Sequence, residues 1–378
     1  MPHARIRLAF CATAHFVVDY VCFFVLYSGP LQTESAALYV LLYNALAFTL
    51  QAPIGAFCDR LEDARPLAIA GCGLVALGAM AMGYPLASVA LLGLGNACYH
   101  VGGAVACLRH CPGDALSAGV FVAPGALGTV LGLLAAQRQS TTPMYTVFLL
   151  LVCILLIWGV GPGVGRQYKA TPSKNEPIPL GAGALMLCLC AIAVRSFAGF
   201  AADPPRGTAG LLLGGAASFA GKLLGGAWGH KLPWRTVALL GVGLGGLIMA
   251  FFPQSMALCA GVFLFNLAMP LTLAAVTASL PGHYGLGFGL TTLALFAGST
   301  PLYGLPNGYA APPLFMAGLT LAAALTLFFL LRPESSRSLR PGSSRSWRSQ
   351  SQLQPQSQFP FTGQNEKEDA IHDTPPLA

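Results

Sequence analysis

The stretch Gly55-Ala56-Phe57-Cys58-Asp59-Arg60-Leu61-Glu62-Asp63-Ala64-Arg65 lies between two apolar runs, 35–57 and 66–83. It holds five charges where the flanking runs hold none. Two helices that turn round at the edge of an apolar layer read this way. Gly55 permits close helix contact, and Asp59 and Arg60 follow one turn later. An ordinary charged turn reads the same, so a second copy matters. Gly226-Ala227-Trp228-Gly229-His230-Lys231-Leu232-Pro233-Trp234-Arg235 is that copy, 171 residues on and again after an apolar run. Gly226 answers Gly55, His230 answers Asp59 and Lys231 answers Arg60. Pro112-Gly113-Asp114 and Pro281-Gly282-His283 stand 169 apart, and Asn96 and Asn266 stand 170 apart. Three offsets near 170 imply an internal duplication.

Composition sets the solvent. Of 378 residues 55% are hydrophobic and 9% charged, with mean hydropathy +0.66. A soluble domain carries about 25% charge, and uncharged runs of about 20 residues read as spanning helices. The expected helices are 6–28, 35–57, 66–84, 86–107, 116–137, 143–162, 180–200, 208–228, 236–253, 255–279, 285–304 and 311–331. The expected fold class is an all-α membrane protein of twelve transmembrane helices in two pseudo-symmetric halves. The expected divisions are 1–162 and 180–331 for the halves, 163–179 for a central loop and 332–378 for a disordered tail. With the N-terminus inside, 16 of the 20 Lys and Arg fall on the cytoplasmic side. That bias predicts both termini in the cytoplasm, and the plasma membrane is the expected location. The net charge of +7 follows from these loops and is not a nucleic-acid signal. Cys107 and Cys111, or Cys188 and Cys190, do not form zinc spacings with histidines nearby, so the eleven cysteines read as small packing residues. No P-loop, nucleophile–base pair or cofactor motif is legible, which predicts neither an enzyme nor a cofactor.

The loop pattern G-x-x-x-D-R-x-x-x-x-R resembles the helix 2–helix 3 motif of the major facilitator superfamily of transporters. In that family its acids and bases form an ion-pair network that locks one face closed. The resemblance implies a gating role for Gly55, Asp59, Arg60, Arg65, Gly226 and Lys231, and that helices 1, 4, 7 and 10 line the central cavity. His15-Phe16-Val17-Val18-Asp19 resembles the H-F-x-x-D first-helix pattern of the fosmidomycin-resistance branch, a group of drug exporters. Gly93, Gly95, Ala97, Tyr99, His100 and Gly103 match that branch's fourth-helix pattern, with Val101 in place of its proline. Arg195-Ser196-Phe197 is similar to its seventh helix. Pro124-Gly125 on the fifth helix resembles an antiporter motif in reversed order.

His15 and Asp19, four residues apart, share a helix face at mid-span. An ionisable side chain there costs several kcal/mol unless it meets a partner or water, so the pair reads either as a proton site or as a self-satisfied structural pair. Burial and a nearby cation would pull on the Asp19 proton in opposite directions. His100 reads as a substrate contact or a packing partner. Arg195 reads as a fork for an anionic substrate or as an ion-pair partner of Asp19 from the other half. Asn96 and Asn266 complete the expected substrate-binding set, and Lys222 reads as a snorkelling structural lysine. The expected function is secondary, proton-coupled efflux of a small organic solute, with an organic anion favoured. The partners are that solute, protons and the lipid bilayer. The alternative is a transport-deficient sensor or scaffold, permitted by His230 in place of an acid and by the long tail.

Overall fold

A computed structural model describes residues 2–161, 177–202, 207–252, 256–305, 309 and 311–333. The expected central loop, with Arg166, Lys169, Lys174 and Glu176, falls almost wholly outside the described residues. So does the tail beyond residue 333. The described residues belong to one compact unit.

The described chain is helical throughout. The helices are α1 (Pro2–Ser28), α2 (Ala36–Cys58), α3 (Arg65–Met80), α4 (Pro85–Leu108), α5 (Ala115–Gln137) and α6 (Pro143–Gly159). They continue as α7 (Ala182–Ala201), α8 (Gly207–Gly229), α9 (Trp234–Phe251), α10 (Met256–Ala278), α11 (Tyr284–Gly304) and α12 (Pro313–Leu330). Ten of them are long and apolar enough to cross a membrane; α3 and α6 are apolar but shorter. Both were expected to run further. The Tyr84 amide turns back to the Ala81 carbonyl, and Pro85, which disfavours helix in the residue before it, opens α4 directly afterwards. Gly161 ends α6 at φ +71°, a conformation that suits glycine.

The starts of α2, α3, α4, α5 and α6, at 36, 65, 85, 115 and 143, recur as 207, 234, 256, 284 and 313, offsets of 169 to 171. The turns before α5 and α11 repeat in detail, with Gly113 at φ +75° and Gly282 at φ +81°. α10 is not continuous as expected. It breaks at Leu267 between Asn266 and Ala268. Pro270 explains the break, since it has no N–H to offer the Asn266 carbonyl one turn back. α2 loosens into a π turn at Ala45–Thr49, four residues ahead of Pro53, for the same reason.

The buried apolar residues form three clusters. One runs from Ala14 to Ile157 and includes Val18, Leu92 and Tyr99. A second runs from Cys188 to Leu331, with Ala115 added. The third mixes both parts of the chain: Cys58, Leu108, Ala118 and Phe121 pack with Leu273 and Phe288. Cys58 and Leu108 close α2 and α4, and Ala118 and Phe288 lie near the starts of α5 and α11. This third core therefore sits at the end of the bundle shared with the start of α1 and the end of α12. On the outer surface Leu155, Trp158, Phe200, Leu314 and Phe329 are exposed. Apolar exposure on that scale is costly in water and ordinary against lipid. The eleven cysteines are all free, and eight of them are buried, as packing residues would be.

Candidate functional site

α1, α4 and α5 bring four polar side chains together inside the bundle. His15 Nε2 lies 3.2 Å from Asp19 Oδ2 and 2.8 Å from His100 Nε2. His100 Nε2 lies 3.6 Å from Asp19 Oδ1, and Asn96 Nδ2 donates to that same oxygen at 3.1 Å. His15, Asp19 and Asn96 are buried. The histidine–aspartate spacing on α1 puts one turn between them, and the Asn96–His100 spacing does the same on α4. The approach of α5 depends on Gly125. A Cβ there would lie 2.5 Å from His15 Nε2 and press on the Asp19 carboxylate. The Tyr99 hydroxyl donates to the Cys11 carbonyl and ties α4 to α1.

Hydrogen bonding fixes the tautomers. His15 Nδ1 is 2.7 Å from the Phe121 carbonyl and His100 Nδ1 is 2.9 Å from the Asn96 carbonyl. A carbonyl only accepts, so both Nδ1 atoms carry hydrogen. If both rings are neutral, two Nε2 lone pairs then face each other and a carboxylate across 2.8–3.6 Å. Asn96 Nδ2 donates to Asp19 Oδ1, but no N–H of the two neutral rings would point into the space between the Nε2 atoms and the carboxylate. One proton placed between the two Nε2 atoms would be held by both rings and would face the Asp19 carboxylate.

The expected cross-half pair between Arg195 and Asp19 does not form; Asp19 pairs with His15 and His100. Arg195 is buried on α7, with its guanidinium 5.8 Å from the Phe265 ring centre and its Nε without a hydrogen-bond partner. Such an unmet donor is expensive in an apolar interior. The neighbouring Ser196 Oγ donates to the Leu295 carbonyl of α11 at 2.6 Å. Asn266 does not join the cluster either. Its amide donates to the Val262 carbonyl at 2.9 Å, beside the break in α10. Lys222 of α8 is the group that stands within electrostatic reach of Asp19, His100 and Arg195. The sequence reading assigned Lys222 a structural role. Its position seven residues inside an apolar helix was the available signal, since an intramembrane lysine is rare without a partner.

The residues expected to form a gate separate into two contacts at the terminus end. The Asp59 side chain turns across to α11. Its carboxylate accepts from the backbone amides of Gly285 at 2.7 Å and Leu286 at 2.9 Å, in the first turn of α11. Those amides lack helical partners and carry the positive end of the helix dipole. Gly55 makes this contact possible, because a Cβ there would lie 2.9 Å from the Leu286 nitrogen and nearer still to the Gly285 carbonyl. Arg60 and Lys231 are exposed. Arg65 grips Asp63 with Nε and Nη2 at 2.9 and 2.7 Å and reaches the Trp158 carbonyl at 3.3 Å. Burial opposes ionisation of Asp63, but the Arg65 guanidinium and amide outweigh it and hold the carboxyl below its usual range. Burial, with Arg7 and Arg109 beside it, pushes the His110 imidazole down.

The second contact is the counterpart of the first with its charges exchanged. Gly226 lies against α5, where a Cβ would meet the Leu116 Cα at 3.0 Å. His230 Nε2 is 3.0 Å from Asp114 Oδ1. Asp114 also caps α5, accepting from the amides of Leu116 at 3.2 Å and Ser117 at 3.0 Å. In one contact the carboxylate comes from the loop, and in the other it comes from the helix start. Both brace the same end of the bundle. Asp59→Asn is expected to shift the bundle toward opening at this end while leaving it folded, since a charged partner of two amides is worth about 1.5–3 kcal/mol per bond. Thiol labelling of single-cysteine variants on the two faces measures the shift. Unchanged labelling on both faces, with normal flux, counts against the latch.

No family model matches the chain, and no curated protein matches it in sequence. Its shape does match solved structures. A fucose:proton symporter of the major facilitator superfamily in an outward conformation aligns with TM-score 0.63 at 14% identity, over 86% of this chain and 97% of that one. The Escherichia coli fucose:proton symporter in a second structure aligns with TM-score 0.60 at 13% identity, over 86% and 97%. The human organic anion transporter MFSD10 aligns with TM-score 0.61 at 16% identity, over 85% and 99%. With ten apolar spans, a repeated helix order and these matches over nearly the whole of each relative, this multi-pass membrane chain has the fold of the major facilitator transporters.

Proposed function

We propose that this chain is a secondary transporter that moves a small organic solute by alternating access, exporting it in exchange for protons. The observation that carries the reading is the His15–Asp19–His100 constellation inside the bundle, with the half-buried Lys222 within electrostatic reach of Asp19 and of the buried Arg195. One side of the interior can hold a proton, and the other can hold an anion. The two halves are 1–162 and 180–331, joined by 163–179, and they rock about the gates at Asp59 and Asp114. Export is supported by the likeness of helices α1, α4 and α7 to the drug-exporting branch and by the Pro124-Gly125 step beside the constellation.

The proposed solute is an organic anion. Lys222 and the unpartnered Arg195 Nε favour a carboxylate or similar group, as does the fold shared with a named organic anion transporter. Asn96, Asn266 and His100 supply polar contacts around it. Arg195→Ala is expected to weaken solute binding by roughly 10- to 150-fold, the equivalent of about 1.5–3 kcal/mol for hydrogen bonds to a charged group. Binding of a panel of organic anions, cations and neutral sugars to purified protein, read by thermal shift, checks both class and residue. Stabilisation by cations alone would point the other way. Flux of the stabilising solute in proteoliposomes under a pH gradient tests transport itself. No flux in either direction would favour the sensor or scaffold reading, though the His230–Asp114 contact supports a working second gate.

Both termini face the cytoplasm in this proposal, from the bias of Lys and Arg in the connecting segments, and the plasma membrane is the proposed location. An epitope at either terminus is expected to react with antibody only after permeabilisation. Labelling of either one in intact cells contradicts the orientation.

A further inference from the structure

We infer that the His15–Asp19–His100 constellation is a binding site for a transition-metal dication of the zinc class, taken up in place of the shared proton. This goes beyond the transport reading, because metal binding stands or falls on the isolated protein whether or not it moves a solute. Two imidazole nitrogens and a carboxylate converge with all three ligand atoms inside 4.8 Å. That is the donor set of a three-ligand site that keeps a fourth position open. The outer partners match as well. Each ring donates its other nitrogen to a backbone carbonyl, Phe121 for His15 and Asn96 for His100, which is how metal-bound histidines are oriented. Asn96 steadies the carboxylate through Oδ1 and leaves Oδ2 on the His15 side. The lone pairs are thus aimed inward before any ion arrives.

The chemistry selects the ion. Imidazole suits zinc, cobalt, nickel, copper and iron, whereas magnesium and calcium demand oxygen ligands. Lys222 and Arg195 within the same interior oppose added positive charge. Nitrogen–metal bonding can offset that repulsion for a transition ion, but the purely ionic attraction of calcium to one carboxylate cannot. The Nε2–Nε2 gap of 2.8 Å must widen by about half an ångström for both nitrogens to sit at about 2.0–2.1 Å from a tetrahedral ion. A rotation of the two rings about their Nδ1 hydrogen bonds achieves this without moving a helix.

The test uses the full chain in detergent with Co²⁺ and Zn²⁺ as probes. One Co²⁺ per chain is expected to bind with the intense visible bands of four-coordinate cobalt and without thiolate charge-transfer bands. Zn²⁺ should displace it, while Mg²⁺ and Ca²⁺ should not. His15→Gln and His100→Gln are each expected to weaken binding at least about a hundredfold, the upper end of what losing even an outer-shell partner costs. His110→Gln, at the terminus end, should leave it unchanged. X-ray absorption at the zinc edge on the unmodified protein keeps the question open to refutation if those variants do not fold. It should show nitrogen and oxygen at about 2.0–2.1 Å, imidazole scattering beyond, and no sulfur near 2.3 Å. Absence of stoichiometric binding, a sulfur shell, or binding that survives the double substitution of His15 and His100 overturns the site. Transport is read separately in proteoliposomes, so either conclusion can fail alone.

Discussion

Asp19→Asn protein, reconstituted in liposomes, is expected to lose transport driven by a pH difference while still exchanging solute down its own gradient. The substitution keeps size and shape, and an amide oxygen can still accept from Asn96 Nδ2. What disappears is the negative charge that makes a proton between His15 and His100 tolerable. Lys222 remains within reach of the site, so the proton then faces a cation without a balancing anion. Removing one partner from a buried charged pair costs about 3–5 kcal/mol, which is a loss of roughly a hundredfold or more in occupancy of the shared proton. Uphill flux should fall by at least that factor. Exchange needs only rocking of the halves around the bound solute and should persist. If a pH difference alone still drives this variant to expel or accumulate solute against its gradient, proton coupling does not run through Asp19. Loss of both activities, with normal solute binding, would place Asp19 in the rocking step instead.

Much of this was legible in the sequence because membrane physics leaves few alternatives. Three offsets near 170, in the charged loop, in the Pro-Gly turns and in Asn96 and Asn266, imply a repeat, and five helix starts follow it. His15 and Asp19 stood out because ionisable groups are rare at mid-span, and a four-residue spacing fixes their shared face. The remainder depended on distances between helices, which no spacing along one helix supplies. Nothing in the chain says that Asp59 reaches across to amides 226 residues away. An amide at a helix start leaves no mark in a sequence. Lys222 was assigned to the interface by its distance from the helix end, but the neighbours that decide its role lie on α1, α4 and α7. Pairing with Asp19 is one of the two readings that charge alone gives Arg195, and the two histidines occupy that carboxylate instead. The proline that breaks α10 was visible at position 270; its effect on Asn266 follows only once the helix register is known.

Gly55→Ala is expected to open the terminus end more strongly than its one added carbon suggests. The new Cβ would lie 2.9 Å from the Leu286 nitrogen and closer to the Gly285 carbonyl. These are backbone atoms in the first turn of α11 and cannot swing aside as a side chain could. Across the same seam Gly289 faces the backbone of Gln51 and Ala52 with no room for a Cβ, so sliding one helix along the other meets a second obstacle. Relief comes only if α2 and α11 move apart, which also lengthens the two Asp59 hydrogen bonds. Overpacking of this kind costs about 1–3 kcal/mol, a shift of roughly 5- to 150-fold away from the closed arrangement, before the latch is counted. Thiol probes added from the terminus side should then label a cysteine placed beside the constellation in the variant and spare it in the parent. Thermal unfolding of the two proteins should differ far less than their labelling. Gly55→Ala combined with Asp59→Asn should add little to Gly55→Ala alone, because the separation that relieves the clash has already drawn the carboxylate off the helix start. Full additivity in labelling, or unchanged access in the single variant, would mean that the two contacts do not act as one gate.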